Sequence, residues 1–398
     1  MQPTYSDVFT YTNLVNSAET CIKNVSWKQS VQSFTAMMYM WCDSLHKQLM
    51  EHKYKSKGFH RFQIHERGKV RHIQSVHISE RVVQKTLCQY ALKPIIKPSL
   101  IYDNGASLKG KGQDFAVKRF REHLRWHYAR YGLKGGILIG DFHNFFGSID
   151  HKILLDMLRK QIKDNDIFEL TKYLIECFEG DVGLGLGSEI SQICAILYPN
   201  KIDHTIKEKF RIHCYARYMD DFYIVSEDID KLKEVYNAIL ELAKELKLEL
   251  NEKRTQIYKF EDIPTFTYLK CRTKLELNGR ISMRMVRDNT KRRRSWMRKQ
   301  RELLNEGRVD FKYIKNSLQT WVSYALKRKN SYHAVKSIYN YYEQLFTVEI
   351  MTEKEISKDL KRLNQKLYFI EKKLDRQIVF DKFIYDKLFK KKGGSNND

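Results

Sequence analysis

Two aspartates, Asp220 and Asp221, stand side by side in RYMDDFYIV, a run that is otherwise mostly apolar and aromatic like a buried strand. An unpaired charge in such surroundings is costly. A third aspartate, Asp141, closes another apolar run, GILIGDF. Side chains alternate along a strand, so Asp220 and Asp221 reach one site only if the chain turns between them, as a tight hairpin would make it do. With the strand of Asp141 alongside, the carboxylates converge, and their repulsion calls for a divalent cation. Mg2+ is the natural ion and Mn2+ an alternative. A pair of such ions can activate a 3′-hydroxyl and steady a leaving pyrophosphate during in-line displacement. Three aspartates capping turns at a sheet edge are the competing account. The apolar flanks on both segments weigh against it.

The elements that must hold these acids are strands and helices interspersed along the chain, an α+β pattern. Residues 1–55 read as helical. RFQIHERGKVRHIQSV then reads as a hairpin turning near Gly68, followed by a helix from a capping Ser79 to Pro94 and Pro98. A Gly- and Lys-rich loop feeds a basic helix that stops at Gly132, ahead of the strand carrying Asp141. A helix follows that strand, and after it come a glycine loop, one long helix and the hairpin of Asp220 and Asp221. An amphipathic helix comes next, and then a hairpin turning at Asn278-Gly279. Beyond 285 the chain becomes helical and strongly basic, with seven of the eleven residues from Lys291 to Arg301 being Lys or Arg around Trp296. That change marks a domain boundary. Leu360, Leu363, Leu367, Ile370 and Leu374 repeat at three and four spacing in a final helix, before a tail rich in Lys, Gly and Asn that reads as disordered.

Across 398 residues the formal charge is +24, and aromatics make up 13%. Cations interleaved with aromatics suit a polyanion whose phosphates are neutralised and whose bases stack. The seven cysteines form no CxxC pair and are odd in number, which argues against a zinc ribbon or a disulfide framework. Neither a leader nor an uninterrupted apolar stretch of about 18 residues is visible, so a cytoplasmic protein without a membrane partner is expected.

YMDD, with DFHNFFGSID upstream of it, resembles the palm of reverse transcriptases, over roughly Phe59 to Leu345. The resemblance implies a right-hand polymerase: fingers and palm at 56–284 and a helical thumb at 285–346, with an N-terminal helical extension at 1–55 and a C-terminal helix and tail at 347–398. It assigns the metals to Asp141, Asp220 and Asp221, with Phe142 beside them. Phe146 falls at the position of the ring that excludes a ribose 2′-hydroxyl. RGKVRHI resembles the fingers hairpin and points to Lys69 and Arg71 for the triphosphate; Arg81 and Lys109 are either further contacts or solvated charges. LELNEKRT resembles the segment that supplies a proton to pyrophosphate, for which Lys253 and Arg254 compete. FTYLKCRTKL is similar to the primer grip, with Tyr268 and Leu269 near its turn, and Arg292, Arg293, Arg294 and Trp296 would grip a template-primer duplex.

Gly185-Leu186-Gly187, with Ser191-Gln192 beyond, departs from the Pro-Gln-Gly of many relatives. That form resembles the enzymes of diversity-generating retroelements and related bacterial lineages, and it places Gln192 at the nascent base pair. The resemblance therefore implies an RNA-directed DNA polymerase using dNTPs and an RNA template to make DNA. The template is expected to be a dedicated structured noncoding RNA in antiphage defence. Alternatives are mutagenic copying in a diversity-generating retroelement, protein-primed or untemplated DNA synthesis, and an inactive nucleic-acid-binding scaffold. The extensions would bind such an RNA, an accessory protein or a second copy of the chain.

Overall fold

The computed structural model describes residues 2–23, 25–66, 69–327 and 331–350. Four helices open the chain: α1 (Tyr5–Val8), α2 (Tyr11–Ile22), α3 (Gln29–Ala36) and α4 (Met38–Met50). Thr4 and Thr10 start the first two by accepting the N–H of Asp7 and Asn13 at 3.3 and 3.2 Å, bonds that the first turn cannot make for itself. Val8, Phe9, Leu14, Leu45 and Leu49 are buried in the same core as Val82, Val83 and Leu87 further along the chain.

β1 (Phe59–Glu66) and β2 (Lys69–Val76) form an antiparallel hairpin. The next helix, α5 (Ile78–Leu87), is capped not by Ser79 but by His77, whose Nδ1 accepts the Ser79 N–H at 3.3 Å and bonds the Ser79 hydroxyl at 2.8 Å. The helical path then runs on through Pro94 to Pro98, as the spacing suggests. A π-helical turn at Cys88–Leu92 passes into α6 (Lys93–Ile96), which carries Pro94 in its first turn.

α7 (Gln113–Tyr131) ends at Gly132, and β3 (Gly136–His143) follows. Then come α8 (His151–Gln161) and α9 (Asn165–Glu176), each capped by an aspartate, Asp150 and Asp164. The single long helix expected after the glycine loop is two, α10 (Glu189–Leu197) and α11 (Asn200–His204), parted at Pro199, which has no N–H to carry the first one onward. The remainder of this part is β4 (Tyr215–Tyr218), β5 (Asp221–Ser226), α12 (Ile229–Glu245), β6 (Glu249–Leu250), β7 (Gln256–Lys259), β8 (Thr265–Tyr268), β9 (Cys271–Leu275) and β10 (Ile281–Met285).

The central sheet runs β4-β5-β3-β6, with β7 also on β3, while β10-β9-β8 form a second sheet. One face of β3 sends Ile137 and Ile139 into a core with Phe120 and Tyr268; the other sends Leu138 and Phe142 against Ile193 and Val235. Burial on both faces explains why the sequence here is an unbroken apolar run rather than an alternating one. Gly140 is required by a close approach, since a Cβ there would stand 2.1 Å from the Phe222 ring.

The chain divides into two compact units, Met1–Met283 and a second beginning at Arg284. The described part of the second holds α13 (Arg287–Asn305), α14 (Phe311–Leu326), α15 (Tyr332–Leu345) and α16 (Thr347–Ile350) around Met297, Ile314, Leu318, Ile338 and Phe346. The leucine seam from Leu360 to Leu374, the tail and the hairpin tip at Gly68 lie outside the described residues. No described helix is long and apolar enough to cross a membrane.

Candidate active site

β3 and β5 pair antiparallel in a register that sets Asp141 opposite Asp221. β4 and β5 are joined through Met219 and Asp220, closing on the pair Tyr218 and Asp221, with Met219 left-handed at φ 57°. That turn brings Asp220 round to the side of Asp221. One carboxylate oxygen from each of Asp141, Asp220 and Asp221 lies within 4.8 Å of the others, so the three acids meet as their positions in the sequence suggest.

The electrostatics of this grouping favour an added positive charge. Burial, followed by the Asp141 charge, pushes Asp220 up to about 6. Burial, followed by the charges of Asp220 and Asp141, pushes Asp221 up to about 7. Arg254 and Lys270 oppose the rise at Asp221 without cancelling it. Clustered carboxylate oxygens are the donor set of a hard divalent cation, so the residues present fit such an ion.

Asp141 is the most firmly held of the three. Its carbonyl accepts the Asn251 N–H at 2.7 Å, and its Oδ2 accepts from Asn251 Nδ2 at 3.1 Å and Arg254 Nη1 at 3.3 Å. The segment NEKRT thus sends Arg254 to the acids, while Lys253 is exposed. Phe142 has its ring buried against Phe145 and Phe222, leaving only its backbone to approach an ion.

Phe146 sits just past β3 in a short 3-10 turn and is half-buried. Its carbonyl accepts the Leu184 N–H at 2.8 Å, which ties the glycine loop to this turn. On its other side the same loop gives the Leu186 carbonyl to the Gln74 N–H of β2 at 3.0 Å. A Cβ on Gly185 would come within 2.5 Å of Gln74 Oε1 and 2.7 Å of the Phe178 ring, so a larger residue there would have to displace both side chains. Gln192 is exposed near the start of α10, where its Oε1 accepts from the Ser107 hydroxyl at 3.2 Å. Lys69 and Arg71 are both on β2, paired with Glu66 and Ile64, and Arg71 is exposed. Arg81 reaches the Ser75 hydroxyl at 3.4 Å, and Lys109 is exposed.

Tyr268 and Arg293, both expected to meet nucleic acid, are buried side chains. Strand alternation turns Tyr268 into the core beside Phe266, under Tyr223. Leu269 follows it in a left-handed turn, where its carbonyl accepts from Gln113 at 3.1 Å. Arg293 lies one helical turn before Met297 on the inner face of α13, bonded to Ser317 at 3.1 Å and stacked 4.0 Å from the Trp296 ring. Burial lowers it to about 10. Trp296 is half-buried in the same packing, Arg294 donates to Ser337 at 2.6 Å, and Arg292 pairs with Asp288.

Sequence reasoning missed Asn251, Lys270 and the buried Arg217. Only Arg217 left a legible signal, a cation at the head of an otherwise apolar strand.

The sequence matches the family Reverse transcriptase (RNA-dependent DNA polymerase) over residues 55–273. No curated protein matches it. Among solved structures it is similar to a telomerase from Candida albicans in complex with a TWJ fragment of telomeric RNA. Identity is 12% and the TM-score 0.42, over 76% of this chain and 63% of that one. Because the matched segment takes in more than half of the chain and contains all three converging acids, the chain belongs to the reverse transcriptase family.

Proposed function

We propose that the chain is an RNA-directed DNA polymerase that adds deoxynucleotides to a DNA 3′ end, with Mg2+ held by Asp141, Asp220 and Asp221. The observation that carries this reading is the meeting of three carboxylates within 4.8 Å, two of them with raised pKa. Bound divalent ions would supply the charge that eases deprotonation of the 3′-hydroxyl and stabilises the departing pyrophosphate. One P–O bond forms at the α-phosphorus as the bond to pyrophosphate breaks. Asn251 and Arg254 orient Asp141, Lys69 and Arg71 hold the triphosphate, and Phe146 lies under the sugar, where a ring leaves no room for a 2′-hydroxyl. Lys253 is the better proton donor to pyrophosphate, since arginine stays protonated at neutral pH. Gln192 faces the nascent pair, and Arg292 and Arg294 reach the duplex phosphates.

A dedicated structured noncoding RNA, copied in antiphage defence, fits the strongly basic chain with its helical additions. The Leu-Gly and Ser-Gln loop favours a second reading, mutagenic copying in a diversity-generating retroelement. The test is dNTP incorporation on primed RNA with Mg2+. The Asp220→Asn/Asp221→Asn variant should lose about a thousandfold in rate or more. Undiminished incorporation sinks the mechanism, and incorporation without RNA favours untemplated synthesis. Sequencing the RNA that copurifies separates the two roles: one noncoding RNA supports defence, a repeat copied from a coding region supports diversification.

A further inference from the structure

Behind the turn that carries the acids lies an ion pair that the metal chemistry does not account for. Asp203, from α11, and Arg217, from β4, both have fully buried side chains. Arg217 Nε donates to the two Asp203 oxygens at 2.9 and 3.1 Å, and Nη2 donates to Oδ2 at 2.6 Å. The Tyr215 hydroxyl donates to Asp203 as well. The rest of the guanidinium is used on backbone: Nη2 donates to the Ile196 carbonyl at 2.8 Å, and Nη1 to the Met219 carbonyl at 3.0 Å. Met219 is the left-handed residue of the turn. The carbonyl of its neighbour Asp220 is held in turn by the Phe142 N–H at 3.2 Å. Both central carbonyls are therefore pinned, and with them the direction in which Asp220 and Asp221 leave the chain. A buried ion pair adds little net stability compared with apolar side chains of the same size. Its geometry, more than its energy, calls for a role.

We propose that Asp203 and Arg217 are positioning residues that fix the Met219-Asp220 turn, so that the acids stand ready for a divalent cation before one binds. The inference rests on the metal-binding part of the proposed function and not on polymerisation. Mn2+ binding to the full chain, followed by electron paramagnetic resonance without nucleotide or nucleic acid, tests it directly. Arg217→Lys keeps the charge but cannot span Asp203 and Met219 together. Asp203→Leu/Arg217→Met removes the pair while leaving a packed core. Each should weaken Mn2+ binding about tenfold or more, as loss of a group orienting a metal ligand does. The apolar variant leaves the Met219 carbonyl and the Tyr215 hydroxyl without these partners, so its unfolding temperature should fall by a few degrees. In primer extension, the Mg2+ concentration for half-maximal rate should rise while the KM for dNTP stays within about twofold. Tyr215→Phe, the mildest change, should weaken Mn2+ binding about two- to threefold, and it decides the matter if the other variants do not fold. Parent-like Mn2+ binding in the apolar variant, or in Tyr215→Phe alone if that is the one that folds, overturns the inference. A parent that binds Mn2+ but extends no primer overturns the polymerase reading instead.

Discussion

The sheet that carries the acids and the hairpin that carries Lys69 and Arg71 are built on opposite plans. β3 is buried on both faces, and its acid is fixed by Asn251 and Arg254. The hairpin leaves Phe62, Ile64 and Val70 about two-fifths to one-half exposed and is tied to the rest through contacts at its base, among them Gln74 to Leu186 and the Phe59 ring on Phe178. The acids that meet within 4.8 Å are set at the end of a strand packed on both faces. The cations proposed to hold a triphosphate are set on the hairpin that leaves more of its apolar surface exposed.

That contrast can be broken in three places. The largest effect should come from Phe146→Ala beside the sheet, which should reduce discrimination against ribonucleotides by about tenfold to a hundredfold in competition assays. Unchanged sugar selectivity would remove the ring from the gate. Next, Lys69→Ala and Arg71→Ala should each raise the KM for dNTP about tenfold, as loss of a charge-assisted contact to the triphosphate does. An unchanged KM in both variants would remove the hairpin from triphosphate binding.

The smallest effect concerns the acids and pH. Asp220 and Asp221 have folded values of about 6 and 7, above their ordinary 3.8. Their protonated forms therefore favour the folded state below pH 3.8, and that contribution is lost as pH rises through 6 and 7. At pH 8 the full repulsion is present for Mg2+ to relieve, whereas at pH 5.5 the ion must displace protons. Mg2+ should raise the melting temperature about 3 °C more at pH 8 than at pH 5.5, and Asp220→Asn should shrink the difference. Equal stabilisation at both pH values would show that Mg2+ acts elsewhere.

The acids were legible because burial and charge conflict openly in GILIGDF and RYMDDFYIV, and the two-residue turn follows from the need to bring adjacent aspartates to one side. Their supports were less so. Asn251 reaches Asp141 only because β6 lies along the end of β3, a tertiary pairing that no local pattern announces. Arg293 looked like surface charge because its neighbours are cations, whereas the helical phase puts it beside Met297. The start of α5 was misplaced because an imidazole does the capping usually done by a hydroxyl. α9 went unread although Asp164 and the spacing of Ile167, Phe168, Leu174 and Ile175 mark it.

The shared core of the first helices with α5 has a further consequence. The stretch that identifies the family begins at residue 55, yet Val82, Val83 and Leu87 find their apolar neighbours in Leu14, Ala18 and Leu45, which precede it. The stretch that matches the family and the stretch that shares this core are thus different lengths of chain. What reads in the sequence as an extension shares, in the folded molecule, the core beneath the catalytic segment.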